Sequence, residues 1–341
     1  MKVLLCGAPG IPVLGPSGSS AHLRGIAGAL QPDLVVAARR SDARGEHGAI
    51  DAPIVEVGVP GWPSWLEKWR DQREVWSGRR AARVLTRAAP KLIWERHALF
   101  CDAGWKAHAA TGAKWVLEVN APQCEERVRY ETLRRPDWAR GWERDVLTAA
   151  PCIVAVSRWL TDWCRSLGYK DVRHVPNGVI PGVGDRDGTR RRLGLEGKFV
   201  IGFLGSFKPW HGVDRLAAIL DAIPDAAGLW VGEGPLAVEH ARAVRVGQVR
   251  EEAVADLVAA MDVGLAPYAA DAPPWFCPLK VLAYRAQGTP VVATDIGDCR
   301  ELVGEGGTVG GDPVDAILAW RGKRCAPWVR GWDKVVEEGL G

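Results

Sequence analysis

The sequence has no apolar run near the roughly 20 residues that a membrane-spanning helix needs, which removes integral helical membrane proteins from consideration. It also lacks a strong charge of either sign. The 44 Lys and Arg against 41 Asp and Glu leave a formal charge of +3, so a strongly basic wrapper of nucleic acid is ruled out as a first reading, a local basic patch stays open, and no nucleic-acid partner is expected. Paired cysteines are missing too. Cys6, Cys101, Cys124, Cys152, Cys164, Cys277, Cys299 and Cys325 are scattered, with no Cys-x-x-Cys and no histidine pair at zinc spacing. That argues against a zinc site and against a disulfide framework, and most of these thiols read as small buried apolar groups. No Gly-x-Gly-x-x-Gly and no P-loop pattern follows the first strand. The opening Met1-Lys2-Val3-Leu4-Leu5-Cys6-Gly7 reads as a buried strand rather than a signal peptide, and a cytoplasmic location is expected.

What is present is an ordinary globular composition, 47% apolar and 25% charged with 40 Gly, in 341 residues. At roughly 100–200 residues per domain this length suggests about two domains. Short apolar runs at 2–6, 34–37, 54–57, 92–94, 115–119 and 152–156 read as strands, with helical patterns at 21–30 and 79–88. A second series has strands at 199–204, 229–231, 263–266 and 290–293, with helices at 213–222, 251–261 and 280–285. Strands alternating with helices predict parallel sheets of the α/β class. Two doubly wound domains joined in the polar, Gly-rich stretch 177–197 fit better than one very long sheet.

In such sheets ligands bind beyond the carboxyl ends of the strands. The loop after Cys6 reaches Gly18 and Ser19, where a helix start offers free N–H groups to an anion; a plain turn capped by serine fits equally well. The loop Gly205-Ser206-Phe207-Lys208-Pro209-Trp210-His211-Gly212 places Lys208 and His211 where charged donors could hold phosphate oxygens. Val231-Gly232-Glu233-Gly234-Pro235 allows close approach of a flat group, or is simply a β-turn. Cys277-Pro278-Leu279-Lys280 opens a helix with Pro278 at its start, and the exposed N–H groups of that turn suit a diphosphate.

These loops resemble, in order and over most of the chain, the glycosyltransferases of the GT-B fold, and among them the retaining family numbered 4, the group 1 glycosyl transferases. The matching segments are the small-residue loop before His22, Glu118-Val119-Asn120-Ala121-Pro122, Val156-Ser157, Val175-Pro176-Asn177-Gly178-Val179, the loops at 205–212 and 231–235, and Pro278-Leu279-Lys280 through Gly288-Thr289-Pro290. The resemblance implies two Rossmann-like domains facing a central cleft: 1–178 on the acceptor side, 179–319 for the nucleotide sugar, and a helical segment 320–341 crossing back to the first. It implies transfer of a sugar from a nucleotide-diphosphate donor, a UDP-sugar by default, with no metal and no further cofactor. The acceptor, a small molecule, glycan, lipid-linked sugar or protein, is left open.

By the same resemblance Lys208, Lys280 and Asn120 are the catalytic candidates. Gly18, Ser19, Ser206, His211, Gly232, Glu233, Gly234, Cys277, Pro278, Leu279, Ala283 and Glu301 are donor-side candidates. Glu118, Glu125 and Glu126 are acceptor-side candidates, although Glu118 could equally pair with Arg96 or Arg127 in the core. The chain departs from the family in two places. Trp275 and Ala283 stand where paired glutamates contact the donor sugar and ribose, and Asn120 stands where a catalytic histidine is common. A binding protein without turnover and a sugar-nucleotide epimerase of the same fold are the competing readings. Asp185-Arg186-Asp187 beside an arginine run reads as ion pairing rather than a metal site.

The 17 tryptophans are the last feature. Trp62, Trp65, Trp69 and Trp76 fall near one helical face among Lys68, Arg70 and Arg73. Core packing is the ordinary explanation; a membrane surface or a sugar ring are the others. Trp320, Trp328 and Trp332 are expected in the terminal helical segment.

Overall fold

The computed structural model describes residues 1–43, 45–59 and 69–341. The chain divides into two compact units, Met1–Pro176 with Asp333–Gly341, and Asn177–Trp332. The second unit therefore runs to Trp332 rather than ending at 319. Trp320 and Trp328 belong to it and not to a returning segment.

The first unit carries β1 (Lys2–Cys6), α1 (Gly18–Leu30), β2 (Leu34–Ala37), β3 (Ile54–Glu56), α2 (Arg70–Ala88), β4 (Leu92–Arg96), α3 (Ala103–Thr111), β5 (Lys114–Val119), α4 (Gln123–Tyr130), α5 (Pro136–Ala149), β6 (Ile153–Ala155), α6 (Arg158–Ser166) and β7 (Val172–His174). Its seven strands are all parallel, in the order β3-β2-β1-β4-β5-β6-β7. The central strands are buried on both faces, as a parallel sheet covered by helices requires, and hence are nearly continuous apolar runs.

The second unit carries α7 (Arg186–Leu193), β8 (Phe199–Leu204), α8 (Leu216–Asp221), β9 (Ala226–Val231), β10 (Ala243–Val246), α9 (Val254–Ala259), β11 (Val263–Ala266), α10 (Leu279–Ala286), β12 (Val291–Ala293), α11 (Cys299–Val303), β13 (Gly307–Val309) and α12 (Pro313–Ala319). Its parallel sheet has the order β10-β9-β8-β11-β12-β13 around a core that includes Phe203, Phe207, Trp230 and Leu265. A last helix, α13 (Trp332–Leu340), returns the chain to the first unit. There the Leu340 carbonyl accepts from Lys114 Nζ at 2.6 Å, and Gly339 lets the helix approach Trp94, whose ring a Cβ would meet at 2.3 Å.

In each sheet the strand order reverses beside the first strand, between β1 and β4 and between β8 and β11. Crevices outside the carboxyl ends open at such points. The stretch 177–197, expected as a linker, contains α7. Asp185 caps it by accepting from the Gly188 N–H at 2.9 Å, and Arg186 and Arg190 pair with Asp262 at 2.5 and 2.6 Å. The helices expected at 213–222 and 251–261 each start as a 3-10 turn, Val213–Arg215 and Glu251–Ala253. No helix among the described residues is long and apolar enough to cross a membrane.

Candidate functional site

In the second unit the loop after β8 and the loop after β9 are laced together. The Gly205 N–H donates to the Val231 carbonyl, Phe207 N–H to Glu233 and Leu236 N–H to Phe207, at 2.9, 2.9 and 3.1 Å. This brings Ser206 and Lys208 beside Gly232, Glu233 and Gly234. Lys208 is exposed, its ammonium 4.9 Å from the Trp210 ring centroid.

Helix α10 is anchored over the same point. The Tyr284 hydroxyl accepts from the Leu204 N–H at 2.8 Å and donates to the Leu265 carbonyl at 3.1 Å, tying α10 to β8 and β11. Pro278 occupies the position before the helix, not its first turn, and Leu279 is the first helical residue. Asn177 holds this entry: its side-chain NH2 donates to the Cys277 carbonyl at 3.1 Å and its backbone N–H to the thiol at 3.3 Å. Burial pushes the Cys277 thiol up to about 12, so it stays protonated and acts as structure rather than nucleophile.

Lys280 is the central observation. It is only 7% exposed, with its ammonium 4.2 Å from the Phe203 ring centroid and 4.9 Å from that of Tyr268. Its Nζ makes no hydrogen bond among the described residues. Gly205, at φ +138°, faces it; a Cβ there would lie 3.3 Å from Nζ. Burial lowers its pKa to about 7. An unpaired buried cation is costly, and cation–π contact with two rings offsets part of that cost.

His211 departs from its expected role as a charged donor. Its Nδ1 donates to the Ser206 carbonyl at 2.6 Å, which leaves Nε2 as an acceptor in the neutral ring. Burial, and then Lys280 and Lys208, hold its pKa down at about 3. His211 can therefore accept from a hydroxyl at neutral pH but cannot supply positive charge. Ala283 and Trp275 are both buried, and Glu301 is exposed in the first turn of α11.

The first unit holds a different cluster at the ends of β4 and β5. Glu118 Oε1 lies 2.7 Å from His22 Nε2 and accepts from Asn120 Nδ2 at 2.7 Å, while Oε2 accepts from Trp94 Nε1 at 2.6 Å. Arg96 Nη1 donates to His22 Nδ1 at 3.0 Å and to Asn120 Oδ1 at 2.5 Å. A guanidinium only donates, so His22 Nδ1 must accept and the proton sits on Nε2, facing Glu118. Burial lowers the His22 pKa, keeping the ring neutral. Burial opposes ionisation of Glu118, but His22, Arg96 and Trp94 outweigh it and hold the carboxyl at about 2.

Of the two arginines expected as partners of Glu118, Arg96 lies 4.0 Å away, whereas Arg127 is committed to Glu74 at 2.6 and 3.1 Å. Glu125 and Glu126 lie outside this cluster, in the first turn of α4. Gly18 and Ser19 are the first two residues of α1, after Ser17, whose hydroxyl accepts from the Ser20 N–H. Sequence reasoning singled out neither His22 nor Arg96 as a site residue. The signal was Glu95-Arg96-His97 closing an otherwise apolar strand at the end where ligands bind.

Residues 198–319 match the family described as glycosyl transferases group 1, and residues 16–182 match glycosyltransferase family 4. The chain belongs to the group 1 glycosyltransferases. This glycosyltransferase is 35% identical over 130 residues to a GDP-mannose-dependent alpha-mannosyltransferase of Mycolicibacterium smegmatis, a match spanning 37% of this chain and 33% of that protein. Among solved structures it resembles sucrose-phosphate synthase from Thermosynechococcus elongatus (18% identity, TM-score 0.66, 100% of this chain and 94% of that one). It also resembles Anabaena HepE in complex with UDP-glucose (18%, 0.64, 94% and 89%) and WaaG, a glycosyltransferase involved in lipopolysaccharide biosynthesis (13%, 0.67, 99% and 94%). The glycosyltransferase has the GT-B fold, with each of its two parallel sheets forming a Rossmann-like unit.

Proposed function

We propose that the protein transfers a glycosyl group from a nucleoside-diphosphate sugar to an acceptor hydroxyl, with retention, and that its second unit holds the diphosphate. The observation that carries this reading is Lys280: a buried ammonium without a hydrogen-bond partner among the described residues, at the switch point between β8 and β11, facing a glycine. Such a group is completed by an anion. As the anomeric carbon becomes oxocarbenium-like, charge gathers on the leaving diphosphate, and fixed cations stabilise it most where water is excluded. Lys280 supplies the buried charge and Lys208 an exposed one. With lysines in that role, the reaction runs without a metal. Neutral His211 accepts from a donor hydroxyl. Asn120, held by Arg96 and Glu118, orients a sugar hydroxyl but does not move a proton.

Uridine is the proposed base, supported by the UDP-glucose complex of HepE; guanosine is the alternative that the mannosyltransferase relative favours. Calorimetry with UDP and GDP, alongside turnover of the matching sugars with and without a chelator, tests all of this. Lys208→Ala should lower turnover about 10²-fold, as loss of one electrostatic donor does. Unchanged turnover in the folded variant removes Lys208 from the mechanism.

Buried Trp275 and Ala283 favour one second reading, a protein that binds nucleotide without transfer. Tight UDP or GDP binding with neither transfer nor donor hydrolysis would select it.

A further inference from the structure

The side chain of Asn120 is held by Arg96 and Glu118, and its backbone runs through Ala121 and Pro122 straight into helix α4. Pro122 stands at the cap position of α4 and gives the first turn no side-chain bond. The cap comes from α5 instead. Glu143 Oε1 accepts from the Gln123 N–H at 2.6 Å, and Oε2 accepts from the Cys124 N–H at 3.2 Å. Glu143 is only 4% exposed, so the orphan donors of the helix start meet a carboxylate out of water, where charge-assisted bonds are strong. A third donor joins them. His97 Nε2 lies 3.2 Å from Glu143 Oε1, and because Glu143 accepts from two backbone N–H groups, His97 supplies the proton of this bond. Its other nitrogen, Nδ1, is buried without a hydrogen bond among the described residues. A phenylalanine would fill the same space without that cost, so what the imidazole adds here is the Nε2 bond.

His97 follows Arg96 at the end of β4, and its backbone N–H extends the ladder to the Glu118 carbonyl at 2.8 Å. Successive side chains alternate across a sheet. Arg96 therefore reaches the Asn120 amide on one face, while His97 on the other reaches, through Glu143, the backbone that follows Asn120. Phe100 fastens α5 at this point. It is fully buried at φ +62°, with its ring centroid 4.6 Å from that of Trp138 and 6.0 Å from that of Trp142. A bulky residue keeps such a φ only where its surroundings over-determine it. This is the core packing expected of the tryptophans around α2, but there Trp69 and Trp76 are 49% and 38% exposed, and Trp62, Trp65 and Lys68 lie outside the described residues. We propose that His97 and Glu143 are positioning residues for transfer, fixing the loop 120–122 and with it the amide that orients a sugar hydroxyl. The proposal rests on that reading of Asn120; the pair touches no substrate and acts through Asn120.

The test is a double-mutant cycle on the full-length protein, read by consumption of UDP-glucose and GDP-mannose. His97→Phe keeps the ring and removes the Nε2 bond. It should lower turnover about 10- to 100-fold, the cost of misplacing a group by about 1 Å. In an Asn120→Ala background the same change should have almost no further effect. His97→Gln, whose amide NH2 can stand where Nε2–H stood, should restore most of the turnover. UDP and GDP affinities, read by calorimetry, should match the parent, because the second unit is untouched. Glu143→Ala should behave as His97→Phe does; where it fails to fold, as melting temperature shows, the two His97 variants carry the test. Losses that multiply with that of Asn120→Ala, or that His97→Gln does not restore, overturn the proposal. Parent turnover in Asn120→Ala removes Asn120 from the mechanism and the proposal with it. A parent that consumes neither donor counts against transfer itself, and amide hydrogen exchange over 118–124 then decides the fixing of the loop. Exchange there should quicken about tenfold or more in His97→Phe and return towards the parent in His97→Gln. Unchanged exchange in His97→Phe overturns it.

Discussion

The two units place their buried charges in opposite situations. In the first, Glu118 has His22, Asn120, Trp94 and Arg96 around it, and its carboxyl is held at about 2. In the second, Lys280 has two aromatic faces, a glycine and, among the described residues, no hydrogen bond, and its pKa falls to about 7. One arrangement surrounds its charge with polar partners and the other leaves its charge without one among the described residues, which is why a ligand is proposed there. Both lie at the carboxyl ends of parallel strands, so position alone does not separate a supporting network from a binding site. The state of the polar atoms does, because a buried group keeps an unmet hydrogen-bonding demand only where something else meets it or where the fold bears the cost.

The largest effect is expected from breaking the satisfied side. Glu118→Gln leaves Arg96 buried without its counter-charge and should cost about 3–5 kcal/mol of stability, read by urea unfolding near neutral pH. The folded pKa of Glu118 is below its ordinary 4.5. The stability it contributes is therefore present above pH 4.5 and is lost as pH falls towards about 2. The variant should lack that acid-side slope. A variant as stable as the parent would mean that the network is not what holds these strand ends.

Breaking the unfinished side should have the opposite signature. Lys280→Met should lower turnover about 10²–10³-fold, the cost of losing a preorganised charge. It should also raise the melting temperature, since an uncompensated buried ammonium is removed. In the parent, binding of pyrophosphate should weaken as pH rises through about 7, where free Lys280 loses its proton, and the variant should not show that midpoint. A fall in both stability and activity would make Lys280 a packing residue.

How these sites read from sequence follows from the same contrast. The strands at 2–6, 34–37, 199–204 and 263–266 are continuous apolar runs buried on both faces, and they lie where the pattern puts them. The edge strands β7, β10 and β13 were missed because they are short, half-buried and interrupted by Arg, His or Gly. Helix α7 was missed because its polar sequence is held by Asp262 rather than by an apolar face. Lys280 was legible as a basic residue at a helix start, but its isolation was not, since that depends on Phe203, Tyr268 and Gly205 from distant segments. His22 was overlooked for the same reason: its partner Glu118 is 96 positions away and no local pattern links them, whereas Arg96 was anticipated only as an ion-pair partner of Glu118 and not for its bonds to His22 and Asn120.

A third variant sharpens the comparison within one unit. Glu95, beside Arg96 on β4, is fully buried like Glu118 but faces the Trp115 indole N–H at 2.9 Å and no cation among the described residues. Burial raises its pKa from 4.5 to about 8. Its folded form therefore keeps the proton more tightly than the unfolded chain. The stability linked to it is full below pH 4.5 and is lost as pH rises to about 8. Glu95→Gln should flatten that slope and stabilise the protein near pH 8 by about 2–4 kcal/mol. An unchanged slope in thermal melts from pH 5 to about 8 would place the sensitivity elsewhere.

The smallest expected effect comes from finishing the unfinished site. Ala283 lies three residues after Lys280 on α10, so a glutamate there is its neighbour on the same helical surface. In Ala283→Glu the new carboxylate should pair with Lys280, supplying the partner that Glu118 finds in Arg96. An opposite charge at that distance shifts a pKa by about 1–3 units in favour of the charged form. Lys280 should then stay protonated well above pH 7, and the melting temperature should rise. Its charge would be partly spent before any donor arrives, so pyrophosphate and nucleoside diphosphate should both bind more weakly, by about tenfold or less. The two ligands are needed together because the competing outcome treats them differently. If the carboxylate instead reaches the ribose hydroxyls, the nucleoside diphosphate alone tightens, by about tenfold for a charge-assisted contact of about 1.5 kcal/mol, and pyrophosphate is unaffected. That result would make Ala283 a deleted ribose anchor and would detach it from Lys280. Parallel weakening of both ligands with a higher melting temperature would show that Lys280 can hold a protein carboxylate or a ligand phosphate, but not both at full strength.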